Sequence, residues 1–298
     1  MRRTLPTAGA LSAAVLLAAA GCSGSPEDDA VGAAAQTAPP AEARTALQVP
    51  VSLGHVHGLG KDPGSGNLLL ATHTGLHRAS GGTFTRVGPA VDLMGFAVVG
   101  PGHYYASGHP QPGVDLPEPV GLIETRDGGE TWTALSRGGE SDFHALTAAG
   151  DGAVGYDGAL RRTDDARTWS EVGTRFEPLA LTGAAGDPHV VAGTESSVMV
   201  SADAGRTWSA VPGSPAPALV SRADNAVIAL TADGGIHLAD ATGTAWRTED
   251  LVAPGASALV ASGSTTELEI IVLAEEGLLV SRAGAPFEPL RAGDPVAD

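Results

Sequence analysis

Thr125-Arg126-Asp127-Gly128-Gly129-Glu130-Thr131-Trp132 decides the fold, because a twin of it stands at Ser201-Ala202-Asp203-Ala204-Gly205-Arg206-Thr207-Trp208. All four tryptophans of the 298-residue chain fall in such turns: Trp132, Trp169, Trp208 and Trp246 are spaced by 37, 39 and 38 residues. A period near 40 with one aromatic per unit marks a repeat architecture. Phe84 and Phe287 take the tryptophan's place in a first and a last unit, which makes six repeats. Upstream of each aromatic the same order of short pieces recurs. In the first unit they are 56–60, 67–72, 75–79 and 83–87, and in the fourth 179–184, 189–193, 197–201 and 207–211. Each is apolar or alternating and bounded by Gly, Asp, Pro or Ser, the signals of strands and hairpins. Almost no stretch carries the 3.6-residue period of an amphipathic helix. The expected fold is all-β, a β-propeller of six four-stranded blades. It occupies 50–298, with units near 53–89, 90–136, 137–173, 174–212, 213–251 and 252–291.

The chain ahead of the repeats has a different character. Arg2 and Arg3 precede an apolar run from Leu11 to Ala20, and Ala19-Ala20-Gly21-Cys22 follows with small residues before a cysteine. The run is too short to span a bilayer and reads as an export signal over residues 1–21. The small-small-Cys ending resembles a bacterial lipobox, which implies cleavage before Cys22 and acylation of its thiol. Cys22 is the only cysteine, so lipid attachment also explains a lone thiol in an exported chain. The rest of 22–49 is rich in Ala, Pro, Ser, Glu and Asp without hydrophobic period, the composition of a disordered tether. The expected location is the outer face of a bacterial cell membrane, as a lipoprotein. The net charge is −17, and −19 once Arg2 and Arg3 leave with the signal. With Lys61 the only lysine, a nucleic-acid partner is excluded on charge.

The tryptophan turns resemble the Asp-box (the BNR repeat) of sialidases, sortilin-type receptors and photosystem assembly propellers. An Asp carboxylate there accepts backbone N–H groups across the turn between third and fourth strands. Gly supplies positive φ, and the Trp ring fills the gap beside it. Asp127 with Trp132 and Asp203 with Trp208 carry complete copies, Asp165 with Trp169 has lost the glycine, and Gly243 and Trp246 remain of a fifth. These residues are structural.

The nine histidines are not scattered. At the start of the innermost strand, the first three units read His55-Val56-His57-Gly58, Asp92-Leu93-Met94-Gly95 and Asp142-Phe143-His144-Ala145. His57, Met94 and His144 therefore share one position, and His55, Asp92 and Asp142 share the one two before it. Residues two apart on a strand point to the same face. The loop between second and third strands supplies His73 in unit one and His109 in unit two, the latter followed by a Pro-rich insertion to Pro119. In a propeller both sets emerge at one mouth of the central channel. Imidazoles with a thioether suit a metal ion, copper first and zinc second. Asp92 and Asp142 would orient the rings or ligate directly. The competing reading makes Met94 core packing and the histidines hydrogen-bonded channel polars or sugar contacts. The insertion could cover the mouth or run as a plain surface loop.

His55-Val56-His57-Gly58-Leu59-Gly60, Thr72-His73-Thr74-Gly75-Leu76, Met94-Gly95-Phe96, Ser107-Gly108-His109-Pro110 and Asp142-Phe143-His144-Ala145-Leu146 resemble a family of exported bacterial propellers usually labelled glycosyl hydrolase or exo-sialidase-like. That label implies a sialidase-type site, yet the Arg-Ile-Pro segment of sialidases is absent, and Tyr156 with Asp157 is the one pair at the mouth a hydrolase could use. Three functions stay open: a lipid-anchored propeller that binds a metal without turnover, a glycoside hydrolase, and a protein-binding assembly factor.

Overall fold

The structure, a computed structural model, describes residues 46–294. The export-signal residues, Cys22 and the tether up to residue 45 lie outside the described residues. Six four-stranded antiparallel sheets follow one another along the chain. This is the six-bladed propeller expected from the repeat. The first blade comprises β1 (Val56–Lys61), β2 (Leu68–Thr72), β3 (Gly75–Ser80) and β4 (Thr83–Val87), within one or two residues of the pieces read from sequence. The second comprises β5 (Val91–Gly100), β6 (His103–Pro110), β7 (Leu122–Thr125) and β8 (Thr133–Ser136), and the third β9 (Ala145–Ala149), β10 (Gly152–Tyr156), β11 (Leu160–Thr163) and β12 (Trp169–Glu171). The innermost strands of blades four, five and six are β13 (Ala180–Thr182), β17 (Pro217–Arg222) and β21 (Ala258–Ser262). Each innermost strand packs on the next, and β21 packs on β1, which closes the ring.

The core lies between blades rather than within them. One apolar cluster sits at each of the six junctions, from Leu69, Leu76, Leu93 and Ile123 between blades one and two to Val56, Leu68, Ile271 and Val280 between blades six and one. A strand covered on both faces reads as a continuous apolar run. Leu68-Leu69-Leu70-Ala71 of β2 is such a run, and all four residues are buried. Each leucine so placed stabilises the ring by roughly 1.5–3 kcal/mol relative to exposure. The tryptophans feed these junctions. Trp169 stacks on Phe143 with centroids 4.7 Å apart, and its Nε1 donates to Ser136 Oγ across the blade boundary at 2.9 Å.

The polar turns hold as the local chemistry requires. Asp203 Oδ1 accepts the Thr207 N–H at 2.8 Å and the Ser201 hydroxyl at 2.8 Å, and Oδ2 accepts the Thr207 hydroxyl at 2.7 Å. Asp127 makes the same set with Thr125 and Thr131. In the fifth blade Asp240 takes over this part, accepting the N–H groups of Thr242 and Thr244 at 3.1 Å each. Its shifted place before Trp246 hid it from the sequence pattern.

Closure of the last blade uses chain that reads as tether. Leu47 donates its N–H to Leu290 O at 2.7 Å and accepts from Leu278 N at 3.0 Å. Ala46 is buried, and Leu47 and Val49 pack on the junction of blades six and one. Residues 46–49 thus join the last blade to the first.

Candidate metal centre at the channel mouth

Two β-bulges aim side chains at the channel. Val56 pairs with Thr72 and Gly58 with Ala71, so His57 is an extra residue on β1. Leu93 pairs with Gly108 and Gly95 with Ser107, which makes Met94 the extra residue on β5. The same irregularity falls between Pro217 and Leu219 in blade five. A bulge bends the strand and re-aims the added side chain. Just ahead of β9, His144 donates its N–H to Tyr156 O at 3.0 Å while Ala145 pairs with Tyr156. His57, Met94 and His144 therefore hold one register, and all three line the central channel, a cavity of about 1180 Å³.

The positions two residues earlier also match. His73 donates its N–H to His55 O at 3.2 Å, and Asp92 pairs with His109 in the β5–β6 ladder. Close backbone approach fixes this geometry. A Cβ on Gly108, whose φ is +140°, would lie 1.9 Å from Asp92 O, and one on Gly95 would lie 2.2 Å from Phe143 O in the next blade. Only glycine permits either contact.

In blades one and two the loop histidine reaches the acid of the following blade. His73 Nδ1 lies 2.7 Å from Asp92 Oδ2, and His109 Nε2 lies 3.1 Å from Asp142 Oδ2. The five histidines expected at one cavity thus fall into two contact groups. In the first, His57 Nε2 stands 3.3 Å from His73 Nδ1 and 3.2 Å from Asp92 Oδ1. His55 flanks this group, its ring centroid 4.9 Å from that of His57 and 6.0 Å from that of His73. In the second, His144 Nε2 lies 2.8 Å from Asp142 Oδ2, and His109 Nδ1 lies 2.5 Å from Glu118 Oε1.

Among the described residues, His57, His73 and Asp92 form the one group of three metal-ligand types whose donor atoms all lie within 4.8 Å of one another. Asp92 is thus placed among the candidate ligands themselves. Its Oδ1 is sealed from solvent and accepts no hydrogen bond, because the His57 nitrogen beside it lies within ion-pair distance but off hydrogen-bond geometry. An unsatisfied buried carboxylate oxygen is costly. A cation held between it and the two imidazoles would remove that cost. Burial lowers the His57 pKa below its ordinary value; Asp92 opposes this, and His55 and His73 reinforce it. A lowered pKa favours the neutral ring, the form that ligates a metal. His57 and Asp92 expose 12% and 17% of their side chains and His73 46%, so the approach from solvent runs past His73.

The remaining sequence candidates sit elsewhere or serve the frame. Asp157 accepts from Ser141 Oγ at 2.5 Å and from Arg161 Nε at 2.9 Å, which commits its carboxylate. Tyr156 packs at the junction of blades three and four. Glu118 and Gln111 escaped the sequence reading of the site. Glu118 holds His109, and Gln111 Nε2 donates to His73 O at 3.3 Å. Both lie in the Pro-rich insertion, which folds onto the rim through Val114 and Leu116. Only the loop's path could reveal them, since neither belongs to the repeat.

No family model matches the chain. No curated protein matches it either. Its fold is similar to that of the GH74 xyloglucanase from Xanthomonas campestris, at 17% identity and TM-score 0.51 over 83% of this chain and 46% of that one. It is similar also to the GH74 enzyme of Niastella koreensis, at 14% identity and TM-score 0.54 over 83% and 46%. A third likeness is to U3-55K, at 10% identity and TM-score 0.54 over 83% and 85%. The chain spans less than half the length of the two GH74 enzymes. At these identities the likeness concerns the fold alone.

Proposed function

We propose that this propeller binds a transition-metal ion between blades one and two, with His57 Nε2, His73 Nδ1 and the Asp92 carboxylate as protein ligands. The observation that carries this reading is the convergence of those three donors around a buried carboxylate oxygen that accepts no hydrogen bond and has only the His57 nitrogen beside it. Copper is the first choice of metal. The stability order for nitrogen and oxygen donors places Cu(II) above zinc, and the Met94 thioether lines the same channel. Zinc is second. Two imidazoles and one carboxylate also make the ligand set of open non-haem iron(II) sites, so iron belongs in the assay. The role is sequestration, delivery or sensing by a protein held at the outer membrane face through a lipid on Cys22. Mass spectrometry of Cys22 from membranes tests the anchor, with a diacylglyceryl adduct as the expected result.

Titration calorimetry and elemental analysis with Cu(II), Cu(I), Zn(II) and Fe(II) test the metal site. Loss of an ion in His57→Ala/His73→Ala is expected. Unchanged metal content in that double variant overturns the proposal. A glycoside hydrolase reading has less behind it. Asp157 is committed to Arg161 and Ser141, and the GH74 likeness is one of fold. An assembly-factor reading rests on the tether and the acidic surface, with no specific contact face to favour it.

A further inference from the structure

We infer that Gln111 is a positioning residue for the metal site: from blade two it holds the turn of blade one that carries His73. This role deepens the metal reading of His57, His73 and Asp92 and rests on it. Of those three side chains, His57 and Asp92 belong to strands β1 and β5, whereas His73 sits in the turn between β2 and β3. His73 is also the most exposed, at 46% against 12% and 17%. A ligand on a strand is fixed by its ladder. A ligand on an exposed turn keeps its place only through the contacts that the turn makes. The candidate donor of His73 is Nδ1, the ring nitrogen nearer the main chain, so a shift of the turn moves that atom directly.

Blade one supplies part of the hold. The His73 N–H donates to His55 O at 3.2 Å, and the Thr74 hydroxyl donates to Leu53 O at 3.3 Å. Segment 53–55 lies so close that a Cβ on Gly54 would stand 2.9 Å from the His73 Cβ. The His73 carbonyl is answered from the next blade, by Gln111 Nε2 at 3.3 Å. Gln111 itself is tied down beside Asp92. Its N–H donates to the carbonyl of Ala90 at 2.9 Å, and its own carbonyl accepts the Val114 N–H at 3.1 Å. Val114 then packs on the apolar core between blades one and two. Gln111 thus links the main chain leading into Asp92 to the main chain of His73, and sets the spacing of two ligands that come from different blades. The loop that provides it breaks the repeat. Second and third strands are joined by residues 73–74 in blade one and 157–159 in blade three, but by 111–121 in blade two. A donor set held in place before the ion arrives loses less freedom on binding, and partners behind the ligands tune affinity for that reason.

Competition with a chromogenic chelator, on the full-length protein loaded with Cu(II) or with Zn(II), tests this role. Gln111→Ala, and Gln111→Glu, which keeps the side-chain length but has no donor, are each expected to weaken binding about three- to tenfold. The number of ions bound is expected to stay as in the unmodified protein. The urea midpoint of the metal-free protein is expected to hold in both variants, because a single exposed contact contributes little to the fold. With Cu(II) bound, electron paramagnetic resonance is expected to show altered nitrogen couplings, which a merely structural role would not produce. Affinity within threefold of the unmodified protein in either variant, or unaltered nitrogen couplings, overturns the role of Gln111 and leaves the metal site standing. A lowered midpoint in the metal-free variants does the same, by making Gln111 part of the frame. An unmodified protein that takes up no ion, or an ion count unchanged in His57→Ala/His73→Ala, removes the metal reading and the positioning role with it.

Discussion

Two kinds of aspartate in this propeller behave in opposite ways. Asp203, in a turn between third and fourth strands, has both oxygens filled by Ser201 and Thr207 of its own turn. Asp62 follows β1 on the face away from the histidines and is filled more completely. Its Oδ1 accepts from Gly64, Ser65 N and the Ser65 hydroxyl, and its Oδ2 accepts the Gly102 N–H at 2.6 Å and the Tyr104 hydroxyl at 2.7 Å from the next blade. Asp92 and Asp142 meet only histidines from the preceding blade or their own, and each keeps one oxygen without a donor. A carboxylate answered by N–H and O–H groups builds the frame. One faced by imidazoles is prepared for a cation.

Replacing both kinds of aspartate tests this contrast. Asp62→Ala removes a buried node between two blades and is expected to cost about 3 kcal/mol or more, read from urea unfolding. Metal content should stay unchanged. Asp92→Asn keeps the shape but removes the charge, and should lower metal affinity by about 10- to 100-fold, measured by competition with a chromogenic chelator. The unfolding midpoint without metal should hold or rise. Asp203→Ala should cost about 1 kcal/mol, in line with loss of one local capping network, and leave metal binding unaffected. Tyr156→Phe should change stability by less than about 0.5 kcal/mol and alter no metal binding.

Acid sharpens the same contrast. Burial pushes the Asp62 carboxyl up, but the donors from Gly102, Tyr104 and Ser65 prevail and hold its pKa at about 2. An unfolded aspartate titrates near 3.9. Because the folded pKa is the lower one, the stabilisation from Asp62 is complete above the unfolded value and is lost as pH falls through about 2. Unfolding followed from pH 5 down to pH 2 should therefore show a decline in stability that Asp62→Asn makes shallower. An equal slope in both proteins would remove Asp62 from the frame.

Likeness to large GH74 enzymes adds nothing to this division, because at 17% and 14% identity it concerns the fold alone. The repeat itself is informative down to single residues. Its register put His57, Met94 and His144 at one place and Asp92 with Asp142 two residues earlier, and in the first two blades that place falls on a β-bulge of the innermost strand. The fifth turn escaped, since Asp240 has drifted from its usual spacing while keeping its hydrogen bonds.

The amino-acid sequence by itself determined the blade count, the strand order and the face on which the histidines gather. All three follow from short-range signals: turn residues, apolar runs and a fixed period. Only the ring decided that His73 meets Asp92 rather than its own blade's acid position, that the five expected histidines fall into two contact groups, and that residues 46–49 clasp the last blade. Those contacts cross from one repeat to the next. They depend on how far each sheet is rotated against its neighbour, a quantity set by the packing of the junction cores and written in no single repeat.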